Sequence, residues 1–134
     1  MPAYFVDTWY FVARLDRADV HHLRAQRLGA RLTNEHLVTH DAVLTEVLAY
    51  FSGYGPGART EAVGIVRRVV FDFEVVPASR TLFTAGLDRY AARPDKEWSH
   101  VDCMSMVLME SLGIHHVLTN DHHFAQAGFT VVNQ

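Results

Sequence analysis

Four carboxylates stand where carboxylates can do chemistry: Asp7, Glu46, Asp102 and Asp121. Asp7 closes the apolar run Ala3-Tyr4-Phe5-Val6 and precedes the hydroxyl of Thr8. A run apolar on both faces reads as a strand inside a parallel sheet, and such sheets bind ligands beyond the carboxyl ends of their strands. Glu46 has Ala42, Val43, Ala49 and Tyr50 at helical neighbour spacing, and an acid in that company is costly to leave unpaired. Asp102 shares a helical stripe with Met106 and Met109 at i+4 and i+7. Asp121 follows a second apolar run that ends in Leu118-Thr119-Asn120.

Each acid taken alone has an ordinary explanation. Asp7 and Asp121 suit turns or caps, and Ser99 with Asp102 has the spacing of a capping box. Glu46 escapes this, because caps do not act in mid-helix. Taken jointly the acids point to one site. If the first and fourth strands are neighbours where the winding direction reverses, Asp7 and Asp121 share a crevice. The helix that Asp102 opens leads straight into the fourth strand, so its start can face the same place. Four converging carboxylates would repel and rise in pKa. A hard divalent cation removes the repulsion, and oxygen-only ligands with open positions favour Mg²⁺ or Mn²⁺.

The elements that must position these acids follow from hydrophobic period and punctuation. After the first strand, Thr8 caps a helix through Trp9, Phe11 and Leu15, and 16–19 read as a turn. A second helix covers 20–33, with Val20, Leu23, Leu28 and Leu32 inward and Arg24, Arg27 and Arg31 outward. Strand two is 36–40, and helix three, 41–51, is apolar nearly all round. The three glycines and proline of 52–57 predict a mobile loop. Helix four covers 58–70, strand three 73–76, and a fifth helix capped by Ser79 runs to Tyr90. Beyond a polar connection, helix six spans 99–112 and stops at Gly113. Strand four is 115–119, a helical turn covers 122–128, and strand five is 129–132. Strands alternating with helices predict a doubly wound α/β fold, one domain over residues 1–134.

Size and composition agree with a compact protein without a membrane span. The chain has 134 residues, 49% of them apolar, and no run approaches the roughly 20 apolar residues that cross a bilayer. One cysteine forms no internal disulfide, and residue 3 already begins a strand without a leader pattern, so the cytoplasm is the expected compartment. The net charge of −3 argues against a polyanionic partner until the four acids are set aside with a cation; twelve basic residues then face eleven acidic ones. Eleven of those twelve are arginine, suited to bidentate phosphate contact. The stripe Arg24, Arg27 and Arg31 is either a phosphate-contacting rim or a solvated face.

Other chemistries find less support. The nine histidines include the adjacent pairs His21-His22, His115-His116 and His122-His123, whose side chains are expected to diverge. His36 and His40 in one strand would stand about 13 Å apart at roughly 3.3 Å per residue, too far to share zinc. Cys103 reads as a small core residue, and Trp9, Tyr10 and Phe11 read as core rather than a base-stacking platform. There is no glycine-rich phosphate loop and no G-x-S-x-G elbow.

Four segments together carry a likeness. Asp7-Thr8 after the opening strand, Val38-Thr39-His40-Asp41-Ala42-Val43-Leu44-Thr45-Glu46, Trp98-Ser99-His100-Val101-Asp102-Cys103-Met104-Ser105, and Leu118-Thr119-Asn120-Asp121-His122-His123-Phe124 with Ala127-Gly128-Phe129 resemble the PIN-domain ribonucleases, particularly VapC-type toxins of toxin-antitoxin systems. The resemblance implies a five-stranded parallel sheet of order 3-2-1-4-5 with helices on both faces. It implies an endoribonuclease dependent on Mg²⁺ or Mn²⁺, with Asp7, Glu46, Asp102 and Asp121 as catalytic, metal-holding residues. Thr8, Ser99, Arg24, Arg27 and Arg31 are then the expected RNA contacts, and a cognate antitoxin and a homodimer the expected protein partners. Three alternatives stay open: a PIN-type RNA-processing nuclease that is not a toxin, metal-independent cleavage by histidine acid and base, and a catalytically idle module that binds RNA or protein.

Overall fold

The structure is a computed structural model and describes residues 3–134. The elements in chain order are β1 (Ala3–Val6), α1 (Thr8–Leu15), α2 (His22–Arg31), β2 (His36–His40), α3 (Asp41–Phe51), α4 (Pro56–Asp72), β3 (Glu74–Val76), α5 (Arg80–Ala92), α6 (His100–Leu112), β4 (His116–Leu118), α7 (His122–Gln126) and β5 (Thr130–Val132). Every strand pairing is parallel, and the order is β3-β2-β1-β4-β5. The expected α/β architecture and strand order are therefore those observed. The central strands carry no polar alternation because both of their faces are covered: Phe5, Val6, Val117 and Leu118 have no exposed surface. Helices α1 to α4 pack as one group, and α5 packs on α6 as another.

Helix α6 is the most deeply placed. Cys103, Met104, Ser105, Met106, Leu108 and Met109 are all buried, as expected of a helix with so few polar positions. Gly86 of α5 makes the close approach to α6 possible: a Cβ there would lie 2.5 Å from Met104 Cγ and 3.0 Å from Met104 N. Helix α6 ends at Gly113, which takes the left-handed conformation (φ 67°) and lets Ile114 N donate to Met109 O at 2.8 Å.

A polar pin joins α6 to the sheet. Ser105 Oγ donates to Val101 O at 3.0 Å and sits 2.9 Å from His40 Nε2. With its one hydrogen so used, the serine accepts from Nε2–H, and this assigns the histidine tautomer. Among the described residues His40 Nδ1 is buried without a partner. Burial lowers the His40 pKa to about 4, so the ring is neutral.

Three expectations about the elements are corrected. Val20 and Leu23 face solvent, 88% and 62% exposed. Helix α2 begins at His22, which leaves Val20 in the preceding turn. Its buried stripe is Ala25, Leu28 and the following Leu32, and Leu23 lies on the opposite side of that stripe. The loop predicted over 52–57 contracts, because Pro56 is accepted at the first helical position and Gly55 (φ 96°) supplies the turn before it. Helix α3 is buried on one side only, with Leu48, Ala49 and Tyr50 exposed.

Candidate active site

Sheet register brings the first two acids together. Val6 pairs with Leu118, so Asp7 and Thr119 emerge side by side at the switch point between β1 and β4. Asp7 is an N-cap by position, yet its side chain does not cap α1. Its Oδ2 instead accepts from Thr119 Oγ1 at 2.8 Å, and the same hydroxyl oxygen accepts from Asp121 N at 3.1 Å. One threonine thus ties the two strand ends together. Asp121 caps α7, its Oδ1 accepting from His123 N at 2.9 Å.

Helices supply the other two acids. Glu46, one and a half turns into α3, accepts from Thr8 Oγ1 at 2.5 Å through Oε1. The capping box expected at α6 is present, with Asp102 N donating to Ser99 Oγ and Ser99 N donating to Asp102 Oδ2, each at 3.0 Å. The box and the site are one arrangement rather than alternatives: capping commits Oδ2 and points the carboxylate into the cleft. That cleft has a volume of about 790 Å³, and Asp7, Thr8, Glu46, Ser99, Asp102 and Asp121 all line it.

The family model of the PIN domain matches residues 4–130. This chain belongs to the PIN-domain family. Mycobacterium tuberculosis VapC20, described as a sarcin-ricin loop cleaving toxin, has a similar structure: TM-score 0.86, 27% identity, 98% of this chain and 99% of that one covered. FitAcB from Neisseria gonorrhoeae (TM-score 0.71, 16% identity, 97% and 96% covered) and DNA-bound VapBC from Salmonella typhimurium (0.70, 16%, 98% and 98%) share the fold. No curated protein sequence gives a significant match.

The electrostatics of this PIN domain follow from crowding carboxylates in a partly dry cleft. Burial, reinforced by the Asp102 charge, raises the Asp7 pKa to about 7, against a smaller opposing effect of the Thr119 hydrogen bond. Burial also raises Glu46, with Asp102 adding to the effect and the Thr8 hydroxyl opposing it. Asp102 is raised by burial and by Asp121, while the Ser99 amide and His123 pull it down. Acids pushed toward their neutral forms by burial and by one another are what a cation would relieve, and the four-carboxylate donor set suits a hard divalent ion.

Sequence reasoning missed two features of the PIN-domain cleft. His123 Nδ1 lies 3.0 Å from Asp121 Oδ2 and 3.3 Å from Asp102 Oδ2, bridging two of the acids. The expectation that His122 and His123 diverge is wrong: their ring centroids are 4.6 Å apart, and with Asp121 they place three possible ligand atoms within 4.8 Å. Both residues are helical, so their side chains are separated by about 100° rather than the half-turn of a strand. The signal was Asp121 as N-cap, which turns the first residues of α7 back over the carboxylate. Trp9, read as core, forms part of the cleft wall, as does Tyr50. Of the three stripe arginines, none lines the cleft itself, but Arg24 contacts a residue of its wall, its Cζ 5.8 Å from the Trp9 ring. Arg27 and Arg31 lie further along α2, exposed, and do not line the cleft.

Proposed function

We propose that this PIN domain, a single domain over residues 1–134, is an endoribonuclease that uses Mg²⁺ or Mn²⁺ held by Asp7, Glu46, Asp102 and Asp121. We read it as the toxin of a toxin-antitoxin pair acting in the cytoplasm. The observation that carries the reading is the convergence of four carboxylates on one cleft, from β1, α3, α6 and the end of β4, with the proton affinity of Asp7, Glu46 and Asp102 raised. When bound, the cation supplies Lewis acidity to the scissile phosphodiester and its attacking water. The chain's own residues hold the ligand set in place: Thr119 fixes Asp7, Thr8 fixes Glu46, and the Ser99 amide fixes Asp102. Water adds to phosphorus, the bond to the 3′ oxygen breaks, and the products carry 5′-phosphate and 3′-hydroxyl ends.

The likeness to VapC20 makes RNA containing the sarcin-ricin loop the first substrate to assay. The VapBC and FitAcB structures support an antitoxin partner, and we propose a toxin homodimer beside it. Apolar side chains left in solvent, Phe83, Leu87 and Tyr90 on α5 and Val70 and Phe71 on α4, suit such contacts. Among the described residues no helix is long and apolar enough to cross a membrane.

Purified protein is expected to lose cleavage in EDTA and regain it with Mn²⁺ or Mg²⁺, and Asp102→Asn to abolish both cleavage and growth arrest. Full activity in EDTA with cyclic-phosphate ends would reject the metal reading and transfer the chemistry to the histidines beside the cleft. Growth arrest that survives Asp102→Asn would favour an idle binding module.

A further inference from the structure

The acidic floor of the cleft is bordered by aromatic side chains that metal binding leaves unused. Trp9 comes directly after Asp7-Thr8, and Tyr50 stands one helical turn beyond Glu46; both line the cleft. Two neighbours on and before α2 hold Trp9 in place. The His21 ring centroid is 5.8 Å from it, Arg24 Cζ is 5.8 Å from the ring, and the Arg24 guanidinium contacts His21 Nδ1. His21 Nε2 in turn lies 3.5 Å from Asn120 Nδ2, beside Asp121. The indole N–H is buried without a partner among the described residues, so what the ring offers to the cleft is carbon. Tyr50, in the same cleft wall, is 40% exposed and packs at 4.8 Å on Phe51 and 5.3 Å on Tyr54.

Aromatic faces with an adjacent guanidinium are how proteins hold unpaired nucleotides, because a base stacks on a side chain only when it has left its helix. We propose that Trp9, backed by His21 and Arg24, is a stacking platform for an unpaired nucleobase next to the scissile phosphate. Tyr50, which lines the same cleft, is placed for a neighbouring nucleotide. This rests on the endoribonuclease reading and deepens it. Because the indole N–H is turned inward, the platform tolerates any base, and Arg24 is placed for the phosphate alongside.

The test uses the full chain carrying Asp102→Asn and Trp98→Phe, in which Trp9 is the remaining one of two tryptophans. It is titrated with a short mixed-sequence single-stranded oligoribonucleotide and with the same strand annealed to its complement. The single strand is expected to quench Trp9 emission and the duplex to leave it unchanged. Adding Trp9→Leu should weaken single-strand affinity roughly tenfold or more, the loss of one stacked base, while Trp9→Phe keeps most of it. Equal binding by the Leu variant, or equal quenching by duplex, overturns the platform. If the Leu variant fails to fold, the quenching and the Phe variant decide. Metal-dependent cleavage by the unaltered chain, with Trp9→Leu affinity unchanged, rejects the platform alone. An unaltered chain that neither binds nor cleaves any RNA rejects the platform and the nuclease reading together.

Discussion

Asp7→Asn should stabilise the metal-free protein while removing its response to metal. The Asp7 carboxyl ordinarily titrates at 3.8 and is raised to about 7 in the fold. The folded state therefore holds this proton more tightly than the unfolded chain. The stability it contributes is full below 3.8 and is lost as pH rises through about 7. At about 1.4 kcal/mol per tenfold change in proton affinity, the complete loss is about 4 kcal/mol, of which about 2 to 3 falls between roughly pH 5 and pH 8. His40 works in the opposite sense: lowered from 6.5 to about 4, it contributes stability above 6.5 that is lost as pH falls toward 4. The two contributions oppose each other in the acid range, so the informative quantity is the difference between the two chains, in which His40 cancels. Asparagine can still accept from Thr119 and carries no charge. Urea unfolding in EDTA should show Asp7→Asn gaining on the wild type by about 2 to 3 kcal/mol from roughly pH 5 to pH 8. Added Mn²⁺ should then stabilise the wild type by mass action and the variant far less. A difference independent of pH, or a variant less stable than wild type at pH 8, would refute the placement of Asp7 as a buried, mutually repelled carboxylate.

Gly86→Ala puts a Cβ against the backbone and side chain of Met104 and should cost about 1 to 3 kcal/mol in chemical denaturation; a neutral result would mean that α5 and α6 separate freely. Ser105→Ala removes the one hydrogen-bond partner that a buried His40 ring has among the described residues, with an expected loss of about 1 to 3 kcal/mol, checked by thermal unfolding near neutral pH. His123→Ala should weaken Mn²⁺ binding, measured by calorimetry, without altering the helical circular dichroism, since His123 bridges Asp102 and Asp121 and lies at the cleft rather than in the core. Arg24→Gln should flatten the salt dependence of RNA binding by roughly 0.7 in log-log slope on single strands, whereas Arg27→Gln and Arg31→Gln, which stand away from the cleft, should change it less.

The strands, their parallel pairing and the four acids were legible in the sequence for physical reasons. Strands apolar on both faces require a covered parallel sheet, and a mid-helix acid among apolar neighbours requires compensation. Ser99 and Asp102 announced their cap by spacing alone, since a cap is local. What the sequence did not contain was direction. Whether Leu23 or Ala25 faces the core depends on where α2 begins, and whether Trp9 is core or cleft wall depends on how α1 leaves the sheet beside α2. The bridging of Asp102 and Asp121 by His123 needs β4 to lie next to β1 and α6 to begin above them, a contact across 21 residues that local spacing cannot encode. Residue types and periods determined which groups could do chemistry; the switch point between β1 and β4 decided which of them meet, because only tertiary register brings Asp7 to Thr119 across 112 residues of chain.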